Sequence, residues 1–430
     1  FDFTNKHPGF NSYYFEPDYT LSIDIPKLYK PVSLKNFLDY GIAFSTLDGK
    51  LYRSKKLHSN YYTELTQHFN INPFINGNLS ALSVHDFNND GLPDIFLSYP
   101  NSFSEIYYNS RQSTFFPKII KSDSSISRSY GYIHTFGDIN GDGYTDIITA
   151  QYIDGKSSIE IFTGNGTDYN KFDELNINGD LNERVIENLT LTDLDNDGDL
   201  DLIVVFYLGA GSNTGSVIFF KNSFWGNFTQ TKYSDQYKFN GWNKQSISAD
   251  FNNDGLNDLF LINRWGHNNL YINTNGNLVK KTGDLLSDTT KKISNIGAAF
   301  DYDNDGDLDL IIVSDSPILK LLENDGTAHF TDVSDKIKHP DLTGKYLMSN
   351  YNTLCIGDYN NDGFQDIFFI LKSNQSSYTY LLINNQAQSF TDKKDIYKLD
   401  KYKLNGAVTS DIDNDGDLDL VCAGESNPNY

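Results

Sequence analysis

The sequence predicts an all-β fold: a seven-bladed β-propeller of four-stranded antiparallel blades, the last blade closed by N- and C-terminal strands. Three observations predict it. A nine-residue pattern, Asp-x-(Asp/Asn)-x-Asp-Gly-x-x-Asp, recurs seven times, starting at Asp86, Asp138, Asp193, Asp250, Asp301, Asp358 and Asp411. Successive copies lie 51 to 57 residues apart, a period that suits one small four-stranded sheet per copy. Short runs rich in β-branched and aromatic residues flank every copy, and no stretch reads as a long amphipathic helix.

The repeat around Asp301 shows the expected elements. Ser294–Phe300 precedes the nonapeptide as one strand and Leu308–Val313 follows it as a second. Ile318–Glu323 is a third, the Asn324-Asp325-Gly326 turn reverses the chain, and Ala328–Val333 is a fourth. An open row of such sheets would leave its end faces unpacked, so the row is expected to close into a ring. After the seventh nonapeptide only Leu418–Ala423 remains. The missing outer strands are expected from the other end of the chain, with Leu51–Ser54 as third strand and Tyr62–Leu65 as fourth. Gly41–Thr46 is a further strand-like run with no place in that scheme; an eighth, degenerate blade is the alternative. Residues 1–40, with Pro8, Pro17, Pro26 and Pro31, read as an extended N-terminal segment, and 41–430 as the propeller.

The nonapeptide has the chemistry of a loop wrapped around a hard cation. Calcium takes six to eight oxygens at about 2.3–2.6 Å, and a short loop can offer them from alternate positions. Positions 1, 5 and 9 are Asp in every copy, position 3 is Asp or Asn, and position 6 is Gly, which accepts the positive φ that sends the chain round the ion. Helix-loop-helix sites close with Glu at position 12. Here that position holds Leu97, Thr149, Val204, Leu261, Ile312, Phe369 or Cys422, so the Asp at position 9 is the expected closing ligand. The expected ligand sets, with position 7 giving its carbonyl, are Asp86, Asn88, Asp90, Leu92 and Asp94; Asp138, Asn140, Asp142, Tyr144 and Asp146; Asp193, Asp195, Asp197, Asp199 and Asp201; Asp250, Asn252, Asp254, Leu256 and Asp258; Asp301, Asp303, Asp305, Asp307 and Asp309; Asp358, Asn360, Asp362, Phe364 and Asp366; and Asp411, Asp413, Asp415, Asp417 and Asp419. Up to seven Ca²⁺ are expected.

These nonapeptides, the Phe136-Gly137-Asp138 run and the outer-strand Phe330-Thr331-Asp332 resemble the VCBS/FG-GAP repeats of integrin alpha-chain propellers and bacterial surface proteins. The resemblance covers about residues 41–424. It implies a calcium-binding propeller, extracellular, secreted or at the cell surface, nearer the bacterial members because a calcium loop occupies every repeat. The Gly-Ala-Pro end of the integrin repeat, an inserted adhesion domain and Arg-Gly-Asp are all missing from this sequence.

The net charge of −23 argues against nucleic acid as a partner. Much of that charge sits in the nonapeptides, where bound cations would offset it. Cys355 and Cys422 are too few for a disulfide framework and read as buried apolar residues, and there is no apolar run long enough for a membrane span. The sequence holds no nucleophile elbow, no His-Glu-x-x-His and no phosphate loop, so no enzyme activity is expected. Strand alternation places the calcium loops on one face of the ring and the longer two-to-three and four-to-one connections on the other. Tyr130, Tyr132, Tyr207, Trp242, Arg264 and Trp265 fall on that opposite face and are the expected contacts for a protein or glycan ligand, since such residue types dominate binding hot spots. The expected function is an adhesion or recognition module; a carbohydrate-binding propeller and a polysaccharide lyase or other propeller enzyme are the alternatives.

Overall fold

The computed structural model describes residues 41–45, 51–54, 62–64, 81–98, 104–110, 114–120, 129–153, 156–175, 185–207, 215–231, 242–264, 266–281, 294–314, 319–338, 353–372, 377–393, 403–412 and 414–425. The expected N-terminal segment, 1–40, lies outside them.

The described chain begins with β1 (Gly41–Ser45), β2 (Leu51–Ser54) and β3 (Tyr62–Glu64). Six blades follow, each built from one unbroken stretch. The first is β4 (Ala81–His85), β5 (Asp94–Ser98), β6 (Ser104–Ser110) and β7 (Thr114–Ile120); the second is β8 (Ser129–Gly137), β9 (Asp146–Ile153), β10 (Lys156–Gly164) and β11 (Tyr169–Leu175). The third is β12 (Val185–Thr192), β13 (Asp201–Tyr207), β14 (Gly215–Asn222) and β15 (Phe228–Gln230); the fourth is β16 (Asn243–Ala249), β17 (Asp258–Asn263), β18 (Asn269–Thr274) and β19 (Asn277–Lys280). The fifth is β20 (Ser294–Phe300), β21 (Asp309–Ser314), β22 (Leu319–Asn324) and β23 (Phe330–Asp332), after which comes the two-residue β24 (Ile337–Lys338). The sixth is β25 (Thr353–Gly357), β26 (Asp366–Lys372), β27 (Ser377–Asn384) and β28 (Phe390–Asp392). The chain ends in β29 (Lys403–Ser410) and β30 (Asp419–Glu425).

The expected seven-bladed ring of four-stranded antiparallel blades, the last closed by the two termini, gives way to six blades. Six blades are contiguous, and the two chain ends combine into a composite closing sheet in the order β29-β30-β1-β2-β3. That sheet has five strands, and its junction is parallel: β1 runs alongside β30 from Gly41 opposite Asp419 to Ser45 opposite Ala423. The run at 41–45, which had no place in the sequence scheme, therefore takes the third position and moves Leu51–Ser54 and Tyr62–Glu64 one place outward. A hairpin forces antiparallel pairing, but strands from distant parts of a chain are free to meet either way. The sixth blade also has a fifth strand, because β24 adds in parallel to β28.

The second strand of each blade is buried on both faces, which explains its uninterrupted apolar run. Along β21 the side chains alternate between two cores. Leu310 and Ile312 pack with Phe260, Ile262 and Leu270 of the fourth blade, while Ile311 and Val313 pack with Phe369, Leu371 and Tyr380 of the sixth. Full burial of one such side chain stabilises by roughly 1.5–3 kcal/mol. Each core thus belongs to a pair of blades. Both cysteines are buried and unbridged, as expected; Cys355 donates its thiol to the Ala407 carbonyl at 3.3 Å.

Blades are also stitched by asparagines at the end of the third strand. Asn222, Asn273, Asn324 and Asn384 each donate from Nδ2 to the carbonyl at loop position 2 of the preceding blade, namely Ile139, Leu194, Phe251 and Tyr302, at 2.7–2.8 Å. Asn109 does the same to Ile412 at 2.9 Å, and so ties the first blade to the closing sheet. The second blade has Gly164 in this place. A Cβ there would lie 2.5 Å from the Thr145 carbonyl and 3.0 Å from the Tyr169 ring. The space is used by Tyr169, whose hydroxyl donates to Phe87 O at 3.1 Å and Thr145 O at 2.9 Å. Asn273 and Asn384 make the fullest sets: Asn273 also donates to Asn257 O at 3.0 Å and accepts from Gly276 N at 2.8 Å, and Asn384 also donates to Gln365 O at 3.1 Å and accepts from Ala387 N at 2.9 Å. Asn273→Ala is expected to destabilise the protein by about 3 kcal/mol, because it strands buried carbonyls. Urea unfolding would measure it; a loss below about 1 kcal/mol would show that the cores alone hold neighbouring blades together.

Candidate functional site

The nonapeptides join first and second strands on one face, and their backbone is set by their own side chains. Position 4 and position 6 are both left-handed: Asn89, Asn253, Asn304 and Asn361 have φ of 52–60° and the glycines at position 6 have φ of 83–93°. Asn tolerates that region better than other L-residues and Gly tolerates it freely. The position 1 carboxylate accepts the N–H groups of positions 5 and 6, as Asp86 does from Asp90 at 3.1 Å and Gly91 at 2.7 Å. Position 5 accepts the N–H of position 7, for example Asp305 from Asp307 at 2.9 Å. The Asn at position 4 reaches the next loop, Asn89 to Gly143 O at 2.9 Å and Asn304 to Gly363 O at 2.8 Å, so the loops are linked to one another.

Position 9 has a task that sequence reasoning missed. Asp94, Asp146, Asp201, Asp258, Asp309 and Asp366 are buried, and each carboxylate accepts two backbone N–H groups, one from loop position 2 and one from the last or next-to-last residue of the third strand. For Asp309 these are Tyr302 at 3.1 Å and Asn324 at 2.7 Å. The residue staples loop to strand. Its recurrent partner, an Asn 15 to 21 residues downstream, was the available signal in the sequence. Burial raises these carboxyls above their ordinary range against the lowering effect of the two N–H donors: Asp94, Asp309 and Asp366 to about 7, and Asp146, Asp201 and Asp258 to about 6.

The loops differ at position 3. Where it is Asn, as in Asn88, Asn140, Asn252 and Asn360, the amide donates to the position 5 carboxylate at 2.9–3.0 Å. Where it is Asp, carboxylates converge instead. Oxygens of Asp193, Asp195 and Asp197 lie within 4.8 Å of one another, as do those of Asp301, Asp303 and Asp309. Ligands on opposite sides of a calcium ion stand about 4.8 Å apart. Asp195 Oδ1 and Asp303 Oδ1 are buried and accept no hydrogen bond, which leaves both oxygens open to a cation. The residues of these two loops fit such an ion. In the third loop the protein supplies a charge of its own, since the Lys221 ammonium contacts Asp195 and lies 2.9 Å from Asp197, whose carboxyl it holds below the usual range. In the fifth, Lys336 pairs with Glu323 at 2.9 Å and Tyr302 donates to the same carboxylate. Asp413 of the seventh loop lies outside the described residues.

On the opposite face the structure brings three of the expected contact residues together. Tyr207 stacks on Trp242 with ring centroids 4.0 Å apart, and the Arg264 guanidinium lies 4.8 Å from the Trp242 ring. The Trp242 indole donates to Glu187 at 3.3 Å, and Lys244 pairs with the same carboxylate. Glu187 and Lys244 are the extra residues of β-bulges in β12 and β16. Bulges re-aim side chains at sheet ends, and these two were not visible in a period-two reading. Tyr130 and Tyr132 fall in β8, but their side chains lie outside the described residues, as does Trp265. Of the histidines in the first strands of the first two blades, His134 packs edge-on against Phe96 at 4.7 Å and burial pushes it down to about 3. His85 meets Thr145 Oγ1 at 3.0 Å.

The FG-GAP-like repeat matches residues 86–149, 138–204, 250–312, 301–369 and 358–422. None of the curated proteins matches this chain. Among solved structures, a Bacteroides fragilis NCTC 9343 protein assigned provisionally as a 6-phosphogluconolactonase is similar at 15% identity with a TM-score of 0.50, covering 85% of this chain and 96% of its own. Saccharomyces cerevisiae Sqt1 aligns at 10% identity over 81% of this chain and 86% of its own, with a TM-score of 0.48. These likenesses concern the fold alone. No helix among the described residues is long and apolar enough to cross a membrane. With most of its length matched by the repeat, and with a loop of that pattern between the first two strands of each blade, the chain belongs to the FG-GAP-like repeat family of β-propellers.

Proposed function

We propose that this propeller is an extracellular, calcium-loaded recognition module that binds a protein ligand through the face opposite its calcium loops. The observation that carries the calcium reading is the pair of buried position 3 oxygens, Asp195 Oδ1 and Asp303 Oδ1, facing other carboxylates without a donor. Calcium would supply positive charge to these oxygens, in the third loop in competition with Lys221, and would be held by side chains of positions 1, 3, 5 and 9 and the position 7 carbonyl. Metal analysis of dialysed protein is expected to find up to seven ions; two or fewer would overturn the reading. Asp305→Ala should empty one site and leave the others filled.

Lys221 gives a sharper test of one loop. A fixed ammonium beside Asp195 and Asp197 competes with a divalent ion, so Lys221→Met is expected to tighten calcium binding at the third loop by roughly tenfold. Calorimetric titration of both proteins would show it; unchanged affinity would mean that the side chain swings clear when the ion arrives.

The recognition reading is supported by the Tyr207, Trp242 and Arg264 stack, which joins two blades and stands among polar partners. Aromatic and Arg residues anchored in this way are typical hot spots. Arg264→Ala is expected to weaken ligand binding by about 2 kcal/mol with little change in stability. A ligand-bound structure with all contacts on the calcium face would defeat it. We read the module as non-catalytic: His85 and His134 are engaged with neighbouring side chains, and the clustered carboxylates are taken up in loops and staples.

A further inference from the structure

The two most exposed large apolar side chains among the described residues, with a third beside them, stand on the calcium face at the boundary of the second and third blades. Phe224 and Trp225, in the turn between β14 and β15, are 68% and 67% exposed, and Phe172 on β11 is 46% exposed. They are neighbours: the Cβ position of Gly226 lies 3.6 Å from Phe172 Cε1. Scattered single apolar residues on a surface need no explanation, but an adjacent group does.

Both chain segments carry a backbone distortion that presents these rings. Phe224, Trp225 and Gly226 have φ of 54°, 65° and 75°, three successive left-handed residues. Each bulky L-residue in that region costs roughly 1–2 kcal/mol. The corresponding turn of the fourth blade uses Asn275 and Gly276, the pair such a turn favours. Phe172 is the extra residue of a bulge: Lys171 faces Phe162 and Asp173 faces Ile161, while Phe172 faces nothing. Packing does not account for the turn, since Phe224 and Trp225 each keep about two thirds of their surface exposed. Strain of this kind collects where a surface is used.

The charge around the rings indicates what docks. Asp173 and Glu174 follow Phe172 on the exposed strand, and Asp199 accepts the Phe224 N–H at 3.2 Å. The nearest base on that strand, Lys171, is already held by Glu160 at 2.5 Å and Glu174 at 3.1 Å. A local acidic rim around aromatic tips suits a basic partner and repels an anionic membrane. We propose that Phe224, Trp225 and Phe172 form a docking prong for a polypeptide segment that presents apolar side chains flanked by Lys or Arg.

The test uses the full chain in calcium buffer and two sets of short synthetic peptides, each with Trp, Phe or Leu anchors, flanked by Lys in one set and by Glu in the other. Lys-flanked peptides are expected to bind at least about tenfold more tightly than Glu-flanked ones. The double variant Phe224→Asn, Trp225→Asn, which puts the L-residue most tolerant of the left-handed region at both positions and completes an Asn-Gly pair with Gly226 at the centre of the turn, is expected to lose that binding and to melt at the same temperature or higher. A melting point lowered by several degrees would show that the rings serve packing, and would overturn the proposal. So would equal binding of the two peptide sets, or binding that the double variant keeps. The same comparison with phosphatidylserine-containing vesicles and with soluble polysaccharides covers the other occupants; loss of either of those by the variant, with no peptide binding, would assign the prong to lipid or sugar instead.

Discussion

Removing calcium is expected to lower the melting temperature of this protein by more than 10 °C, with recovery in millimolar calcium and only weak recovery in magnesium. Extracellular calcium modules bind with Kd of about 10⁻⁴–10⁻³ M. At roughly 1 mM free ion and the tighter limit, one site stabilises the folded state by about 1.4 kcal/mol. Seven independent sites would contribute on the order of 10 kcal/mol, comparable to the whole net stability of a typical domain. Losing the ions also leaves carboxylates facing one another, most severely in the third and fifth loops, where three converge within 4.8 Å. Magnesium demands near-octahedral geometry and gives up water reluctantly, so it suits these loops poorly. Calorimetry on protein shown to be metal-free is the measurement. A shift below about 3 °C would mean that the blade cores and the asparagine stitches hold the ring unaided.

The metal-free protein is expected to become less stable as pH rises from 5 to 8, and the calcium-loaded protein is expected to show the opposite order. The position 9 carboxyls are the cause, with Asp94, Asp309 and Asp366 raised to about 7 and Asp146, Asp201 and Asp258 to about 6 by burial. A carboxyl raised in the folded state binds its proton more tightly there than in the unfolded chain. Its contribution is therefore complete below the unfolded value, near pH 4, and is lost as pH climbs through about 6 to 7. A tenfold difference in proton affinity at one carboxyl is worth about 1.4 kcal/mol, so six groups acting even in part should move the melting point by about 5 °C or more. Calcium needs the ionised form, which reverses the trend when it is present. Melting curves of dialysed protein across that range would test the pair; a metal-free melting point that stays level or rises with pH would remove the buried staples as the source of the pH dependence.

Much of the architecture was legible because it is written in local patterns. The nonapeptide spacing set the blade period, and the Asn-Asp-Gly turns and apolar runs marked the strands; Gly306 and its equivalents do take the positive φ that the loop was read to require. Tyr207, Trp242 and Arg264, read from the sequence onto one face, do come together there. Their partners Glu187 and Lys244 were not legible, because a bulge shifts a strand by one residue and leaves no mark in a period-two pattern.

By itself, then, the sequence determined the all-β repeat, the positions of the loops and their oxygen-rich chemistry, since each depends on residues within a few places of one another. Only the tertiary structure decided how the ring closes and what position 9 does. The parallel entry of β1 beside β30 and the addition of β24 to β28 join segments far apart in the chain, while each buried position 9 carboxylate ties its loop to the third strand of its own blade through two N–H groups that no local pattern announces. Apolar patterning states that a strand must be covered, but not by which segment or in which direction. That choice follows from the demand that each buried backbone N–H and C=O find a partner, and the demand is met only when the whole ring is assembled.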